Sequence, residues 1–548
     1  MNKFLTKKVY FLLTVYLFLL ILTNFLELLG LSSILIFLNF VLDINNPIFS
    51  QYREYIDFLN ANFINTKNIK FYVYLIIIFY IIKNFISAIN IFIKEKITVI
   101  IGNDISSKLY QYYISKSLSF HEKSGFYKLF RNVMSETRKT GAFFLNILQI
   151  FNDVVLIFLI ILFILIANKD LFLITSLLII PSIFFYYFFT SEKINIKSKK
   201  LFNLRYSVIE VVINSFNLIK ELKFYNFSSH LKYKFINQLK EYQSATIFIQ
   251  SVKKLPRIFY EVVILLCILF VLTYLVDQGY DKKNILSFLS ILFVAFLRVM
   301  PSAASLSVSL SDFKENKVSY DFLKSEISVK NNKNKYINLK KVNKILLKKI
   351  TFSYNKTQII KNINFKIENF KLIGIKGESG SGKSTLVKII SNIIYSNKGI
   401  VKINNVFNEE YKYYNFGYLD NKPYLFNGSV KDNILFFSKN NNNKIKKILS
   451  IVALNQNILK KVAKYNDQDK VSTGQKQRIA IARCLYKNPS LLILDETLSN
   501  IDLINTNKII KNLKKENIPV IIVSHNQKIL NKCEKVFELK NKKIFKST

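Results

Sequence analysis

Residues 371–390 read KLIGIKGESGSGKSTLVKII, and three local patterns follow one another inside that stretch. Lys371 to Lys376 is a short apolar run with the composition of a buried strand. Gly377 to Thr385, GESGSGKST, fits G-x-x-x-x-G-K-[ST], and LVKII then opens a helix. In that order of strand, loop and helix, backbone N–H groups and a helix N-terminus turn toward phosphate. The candidate cradle is therefore Gly377, Glu378, Ser379, Gly380, Ser381, Gly382, Lys383, Ser384 and Thr385. Lys383 reaches the β- and γ-phosphates of ATP, and Ser384 is a ligand for Mg²⁺.

A second apolar strand, LLILDE, ends in Asp495 and Glu496. One carboxylate is thereby placed for magnesium and the next where it polarises an attacking water. Around both motifs, from about Tyr320 onward, the chain alternates short β-like runs, glycine loops and amphipathic helices, which marks an α/β domain. We place this nucleotide-binding domain at 341–548, behind a linker at 319–340.

Residues 1–318 have a different character. Six stretches are long and apolar enough to span a bilayer: Val9 to Leu42, Phe71 to Ile93, Ala142 to Ala167, Leu171 to Thr190, Ile258 to Val276 and Ile285 to Leu310. The two long connections, Lys94 to Gly141 and Ser191 to Leu255, carry nine and twelve Lys/Arg against three in Asp43 to Lys70. By the positive-inside bias those connections and both termini are cytoplasmic. Their helical periodicity predicts that the membrane helices extend beyond the bilayer. The expected fold class is a six-helix transmembrane domain followed by an α/β P-loop domain. The first apolar run is too long for a signal-peptide core and reads as a retained anchor.

Composition narrows the function. The 548 residues are 51% hydrophobic and carry a formal charge of +44, but only eight of the 79 basic residues are Arg. The lysines sit in Asn- and Ile-rich tracts such as KNNNNKIKKI from Lys439, a compositional bias rather than a nucleic-acid surface. Cys267, Cys484 and Cys533 are scattered and suggest neither a disulfide framework nor a metal cluster.

Between the glycine loop and LLILDE lies VSTGQKQRIAIARCLYKNP, beginning at Val471. It resembles the signature segment of ATP-binding cassette transporters. The resemblance covers essentially the whole chain, in the half-transporter layout of the type IV exporter group. It implies an ATP hydrolase coupled to transport, and a dimer in which each ATP lies between the glycine loop of one chain and the signature of the other; we expect a homodimer in the cytoplasmic membrane. It further implies that Tyr354 stacks on adenine and that Ser472, Gly474 and Gln475 belong to the signature. Asp502 matches the loop between cassettes, and His525 the switch histidine at the γ-phosphate, with Glu496 the catalytic base. Three departures stand out. Thr473 replaces the first signature glycine, Asn421 replaces the glutamine that links magnesium to the membrane domain, and YNDQDK replaces the usual run before the signature. Thr473 and Asn421 raise the alternative of a weakly hydrolysing regulatory half of a heterodimer.

Charged residues in membrane helices point to cargo. Lys83 and Arg298 lie about equally deep, some 20 Å from the outer end at roughly 1.5 Å per residue. Arg257 and Glu261, four apart in LPRIFYE, lie toward the cytoplasmic side and are placed to pair along one face. Glu27 and Asp153 are the internal carboxylates available to these cations. LELLGLSSILIFLNFVLDINNP, NLIKELKFY, LPRIFYE and FLRVMPS together resemble PglK-type lipid-linked oligosaccharide flippases and related polysaccharide exporters. That resemblance implies a polyprenyl-pyrophosphate glycan as substrate, with Lys83, Arg257 and Arg298 contacting its pyrophosphate. Export of a peptide, lipid or drug is the alternative. FSQYREYIDFLNANF, from Phe49, has the pattern of an amphipathic surface helix touching lipid.

Overall fold

The computed structural model describes residues 7–42, 69–167, 169–225, 228–328, 335–354, 357–404, 406–407, 411–413, 415–463 and 471–547. Two of the sequence expectations, the surface helix from Phe49 and the segment YNDQDK, lie outside these residues. The chain divides into two compact units, Met1–Lys116 with Ser124–Lys330, and Ser117–Lys123 with Asn331–Thr548.

Among the described residues, the first unit contains six helices long and apolar enough to cross a membrane. They are α1 (Lys7–Leu42), α2 (Ile69–Ile114), α3 (Thr137–Ala167), α4 (Lys169–Asn217), α5 (Ser228–Asp277) and α6 (Lys282–Ser328). The polar connections are helical, as their periodicity requires. In α2 the buried hydrophobic side chains beyond the apolar stretch are Ile97, Ile101, Ile105, Leu109 and Tyr113, a row spaced by four that packs as one ridge. The same logic moves the end of the membrane domain. Helix α6 runs through 318 to Ser328 because Ser319 and Leu323 are buried, so the linker placed at 319–340 begins only after that helix.

Close packing fixes α2 against α3. A Cβ on Gly141 would lie 2.8 Å from the Thr98 carbonyl oxygen and 3.0 Å from the Gly102 nitrogen, so only glycine permits this approach. Just before α3, a π-helical turn at Asn132–Glu136 brings the Glu136 side chain into the bundle. There its carboxylate accepts hydrogen bonds from Arg205 of α4 at 3.0 Å and Ser319 of α6 at 2.5 Å, with Arg131 3.8 Å away. One buried carboxylate thus ties three elements together. Glu136→Gln leaves Arg131 and Arg205 without their counter-ion, and we expect about 3 kcal/mol of destabilisation, read as a lower midpoint of thermal unfolding in detergent.

The second unit is built on two sheets. Its principal strands are β1 (Lys344–Tyr354), β2 (Thr357–Glu368), β3 (Leu372–Lys376), β4 (Lys398–Ile403), β5 (Val406–Phe407), β6 (Phe416–Leu419), β7 (Leu491–Asp495), β8 (Val520–Val523), β9 (Lys535–Lys540) and β10 (Lys543–Ser547). An antiparallel sheet has the order β2-β1-β4-β5, and the six-stranded sheet the order β10-β9-β3-β8-β7-β6. In the latter, β9, β3, β8, β7 and β6 are parallel and β10 is antiparallel. Alternation along β7 sends Leu492 and Leu494 into one core and Leu491 and Ile493 into the other. Burial on both faces explains why these strands are continuously apolar, each such side chain contributing roughly 1.5–3 kcal/mol.

Candidate functional site

The register of the parallel sheet assembles the nucleotide motifs. Asp495 pairs with Val523, and Val523 with Ile375, so three strands end level with one another. The glycine loop leaves β3, Glu496 leaves β7 and His525 follows β8, which collects them at the carboxyl edge of the sheet. The loop requires its glycines. A Cβ on Gly377 would lie 2.5 Å from the Leu539 carbonyl oxygen, and Gly382 caps helix α7 (Lys383–Ile390) at φ 101°.

Lys383 donates to the carbonyls of Gly377 at 3.0 Å and Glu378 at 2.8 Å, and its Nζ is 4.0 Å from Glu496 Oε1. The Ser381 hydroxyl is buried with no hydrogen-bond partner, an orphan of the kind a phosphate oxygen satisfies. Glu378, Ser379 and Gly380 are exposed at the mouth of the loop, while Thr385 is buried behind it. Asp495 is 4% exposed and takes hydrogen bonds on both oxygens, from Ser384 at 3.1 Å and Tyr418 at 3.0 Å. Burial pushes its carboxyl above the usual range, and the two hydrogen bonds oppose that shift. The residues therefore fit a nucleotide: the loop and Lys383 for its phosphates, Ser384 and Asp495 as hard oxygen ligands for magnesium, which neutralises charge on the transferring phosphoryl group.

The remaining nucleotide candidates are spread over defined elements. Ser472 caps α9, whose helical residues here are Thr473–Tyr486, in a reciprocal capping box with Gln475; a shorter helix, α8 (Val430–Leu435), precedes it. Thr473 is exposed on the first turn, and a Cβ on Gly474 would come 3.1 Å from the Asn500 carbonyl oxygen. Asp502 caps α10 (Leu503–Lys515), and its bonds with Asn505 hold its carboxyl below the ordinary range. Asn421 is exposed in the loop after β6, and its carbonyl accepts from Gln477 at 3.4 Å. Tyr354 packs edge-on against Phe352, and His525 is exposed. Glu496 adopts φ 54°, a left-handed conformation rare for a residue with a Cβ.

The membrane charges sort differently from the sequence expectation. Lys83 Nζ lies 2.6 Å from Glu27 Oε1, and Arg298 Nε lies 3.1 Å from Glu27 Oε2, so one carboxylate of α1 holds cations of α2 and α6. Tyr80 offers its ring to both, at 5.2 and 6.0 Å. Asp153 pairs with neither; it accepts from Gln149 at 2.8 Å and Ser305 at 2.7 Å. Of the two arrangements open to Arg257 by sequence, pairing with Glu261 or facing a cavity, the pairing does not form. Both are exposed and, among the described residues, without an ion pair. Arg257 instead lines a groove of about 520 Å³ with Ile264, Ile268, Phe293, Phe296 and Leu297.

The family profile described as ABC transporter matches residues 360–499, which hold the glycine loop, signature and β7. The lipoprotein-releasing system ATP-binding protein LolD of Wigglesworthia glossinidia brevipalpis is 34% identical over 36% of this chain and 93% of its own length. The chain belongs to the ABC transporter family. A probable ABC transporter ATP-binding/permease protein of Haemophilus influenzae is 30% identical over 37% of this chain and 39% of its own length. The lactococcin-A transport/processing ATP-binding protein of Lactococcus lactis is 30% identical over 35% and 28% respectively. The matches thus span between about a quarter and two fifths of the first curated relatives. The fold of this ABC transporter is that of a bacterial Atm1-family ABC exporter solved with ATP bound, with a TM-score of 0.79 at 14% identity over 97% of this chain and 95% of the other.

Sequence reading missed one residue of this ABC ATPase domain. Tyr418 holds Asp495 Oδ2 from the neighbouring strand β6, which only the strand order brings beside β7. Tyr418→Phe removes a hydrogen bond that favours the carboxylate. We expect the Mg²⁺ concentration for half-maximal ATPase activity to rise by roughly three- to tenfold, with the rate at saturating Mg²⁺ little changed.

Proposed function

We propose that this ABC transporter is an ATP-driven flippase for a polyprenyl-pyrophosphate-linked oligosaccharide, acting as a homodimer in the cytoplasmic membrane with both termini cytoplasmic. The Glu27 cluster carries the reading: one carboxylate for two cations, Lys83 and Arg298, while Arg257, a helical turn from Glu261, lines a separate apolar groove. Two cations on one carboxylate, with an apolar groove in the same bundle, suit a ligand with phosphates at one end and a hydrocarbon chain at the other. Arg257 and Arg298 supply forked donors for phosphate oxygens, and Lys83 a point charge.

In the cassette, Glu496 acts as the base for the attacking water and His525 senses the γ-phosphate, with Ser384, Asp495 and Asn421 serving the Mg²⁺ site. Tyr354 receives the adenine, and Ser472, Gly474, Gln475 and Asp502 face the nucleotide of the partner chain. A second copy is supported by the short helix Ile219–Tyr225, which buries none of its residues and leaves Phe224 89% exposed.

Export of a peptide is a second reading, favoured by relatives named for lactococcin and sublancin transport. Those alignments cover 35% of this chain, and a neutral or basic peptide has no use for surplus membrane cations. ATPase stimulation separates the two. A polyprenyl-pyrophosphate glycan stimulates hydrolysis by the flippase, whereas stimulation by a bacteriocin-like peptide alone overturns the reading.

A further inference from the structure

The arrangement around Glu27 carries more than a binding site. Its carboxylate is the only acidic group, among the described residues, within ion-pair distance of Lys83 or Arg298. The two contacts are unequal. Lys83 is buried and bonds Oε1 at 2.6 Å, but Oε2, 3.1 Å from Arg298, accepts no aligned hydrogen bond. The Arg298 side of the carboxylate is therefore held by charge alone and is the side an incoming anion can take.

We propose that Glu27 is a resident counter-ion that the substrate's phosphates must displace, and that it thereby sets how tightly this cluster takes a phosphate-bearing lipid. The inference rests on the proposed substrate class and adds an affinity-setting residue to it. With Glu27 in place the cluster is +1; with Glu27 turned away, Lys83 and Arg298 present +2. A phosphodiester carries one negative charge and a pyrophosphate diester two, so the pair of cations favours the pyrophosphate. Displacing the carboxylate costs the same whichever lipid arrives, so Glu27 weakens both alike and leaves the preference to the cations.

The displaced carboxylate has a destination. A polar cavity of about 210 Å³ adjoins Glu27, lined by Asn24, Ser87, Asn90, Lys94 and Asn152. The Ser87 hydroxyl lines it, as does the Lys94 ammonium, which donates to Gln149 at 3.0 Å and has further N–H groups. Such donors can receive Glu27 without leaving an unsolvated charge in the membrane.

The test compares two diesters in the purified full-length transporter in lipid: polyprenyl-pyrophosphoryl-N-acetylglucosamine and polyprenyl-phosphoryl-glucose. The readout is the concentration giving half-maximal stimulation of ATPase activity. The wild type prefers the pyrophosphate by roughly tenfold or more, and Arg298→Ala weakens both responses. Glu27→Gln lowers the half-maximal concentration of both lipids by about tenfold and keeps the preference between them. Glu27→Gln combined with Lys83→Met leaves Arg298 as the single cation and loses the preference. A purely structural role for Glu27 predicts no such tightening. If Glu27→Gln leaves both concentrations unchanged or raises them while Arg298→Ala still weakens both responses, the counter-ion role is overturned and the flippase reading stands. If neither lipid stimulates the wild type, the substrate class itself is wrong and the inference falls with it.

Discussion

Glu496→Gln is expected to reduce ATP hydrolysis by roughly 10³-fold, within the range for loss of a positioned general base. The carboxylate sits one residue beyond β7, and its backbone N–H donates to the Val523 carbonyl at 3.0 Å, so the sheet fixes where the side chain starts. The left-handed φ of 54° then turns it toward Lys383, 4.0 Å away. Glutamine keeps size and amide hydrogen bonding but cannot take a proton. ATP binding, measured by retention of a labelled nucleotide, should persist or lengthen while phosphate release disappears. Hydrolysis within tenfold of wild type would assign the base elsewhere, and an inactive wild type would favour the regulatory-half alternative raised by Thr473 and Asn421.

The second large effect belongs to Arg298. Arg298→Ala should lower transport of a polyprenyl-pyrophosphate glycan by roughly 30- to 100-fold, the loss of about 2–3 kcal/mol of charge-assisted hydrogen bonding. Arg298→Lys keeps the charge and should recover part of the loss, because an ammonium lacks the guanidinium fork. Truncation also leaves Glu27 with Lys83 alone, a neutral pair with no surplus charge for phosphate. Counted transport of the labelled lipid into vesicles reads this directly. Undiminished transport in Arg298→Ala would remove the residue from the substrate path.

The nucleotide half was legible because its chemistry is local. GESGSGKST and LLILDE each carry their strand, loop and charge within a few residues, and parallel strands align their ends by register. The six helices were legible for a similar reason, since apolar length alone marks them. The ion pairs were not. Whether Arg257 turns toward Glu261 or toward the α6 groove depends on packing between helices, which spacing along α5 does not encode. Equal depth puts Lys83 and Arg298 at one level, but by sequence Glu27 and Asp153 are equally available to them, and the oxygens of Asp153 are occupied by Gln149 and Ser305. Strand order, not sequence distance, places Tyr418 against Asp495, so no local pattern marks it. Helix α6 continues to Ser328, beyond the boundary read at 318, because a polar segment with one buried face reads as linker until the partner of that face is known.

The proposed role of Lys83, Arg257 and Arg298 is to serve a pyrophosphate-linked lipid. Proteoliposomes containing the purified wild-type chain and a fluorescent polyprenyl-pyrophosphate oligosaccharide test it most directly. Translocation is expected to depend on ATP and Mg²⁺, to be absent in Glu496→Gln and to be strongly reduced in Arg298→Ala. Translocation of a peptide or simple phospholipid at full rate, with the pyrophosphate-linked lipid left unmoved, would contradict it.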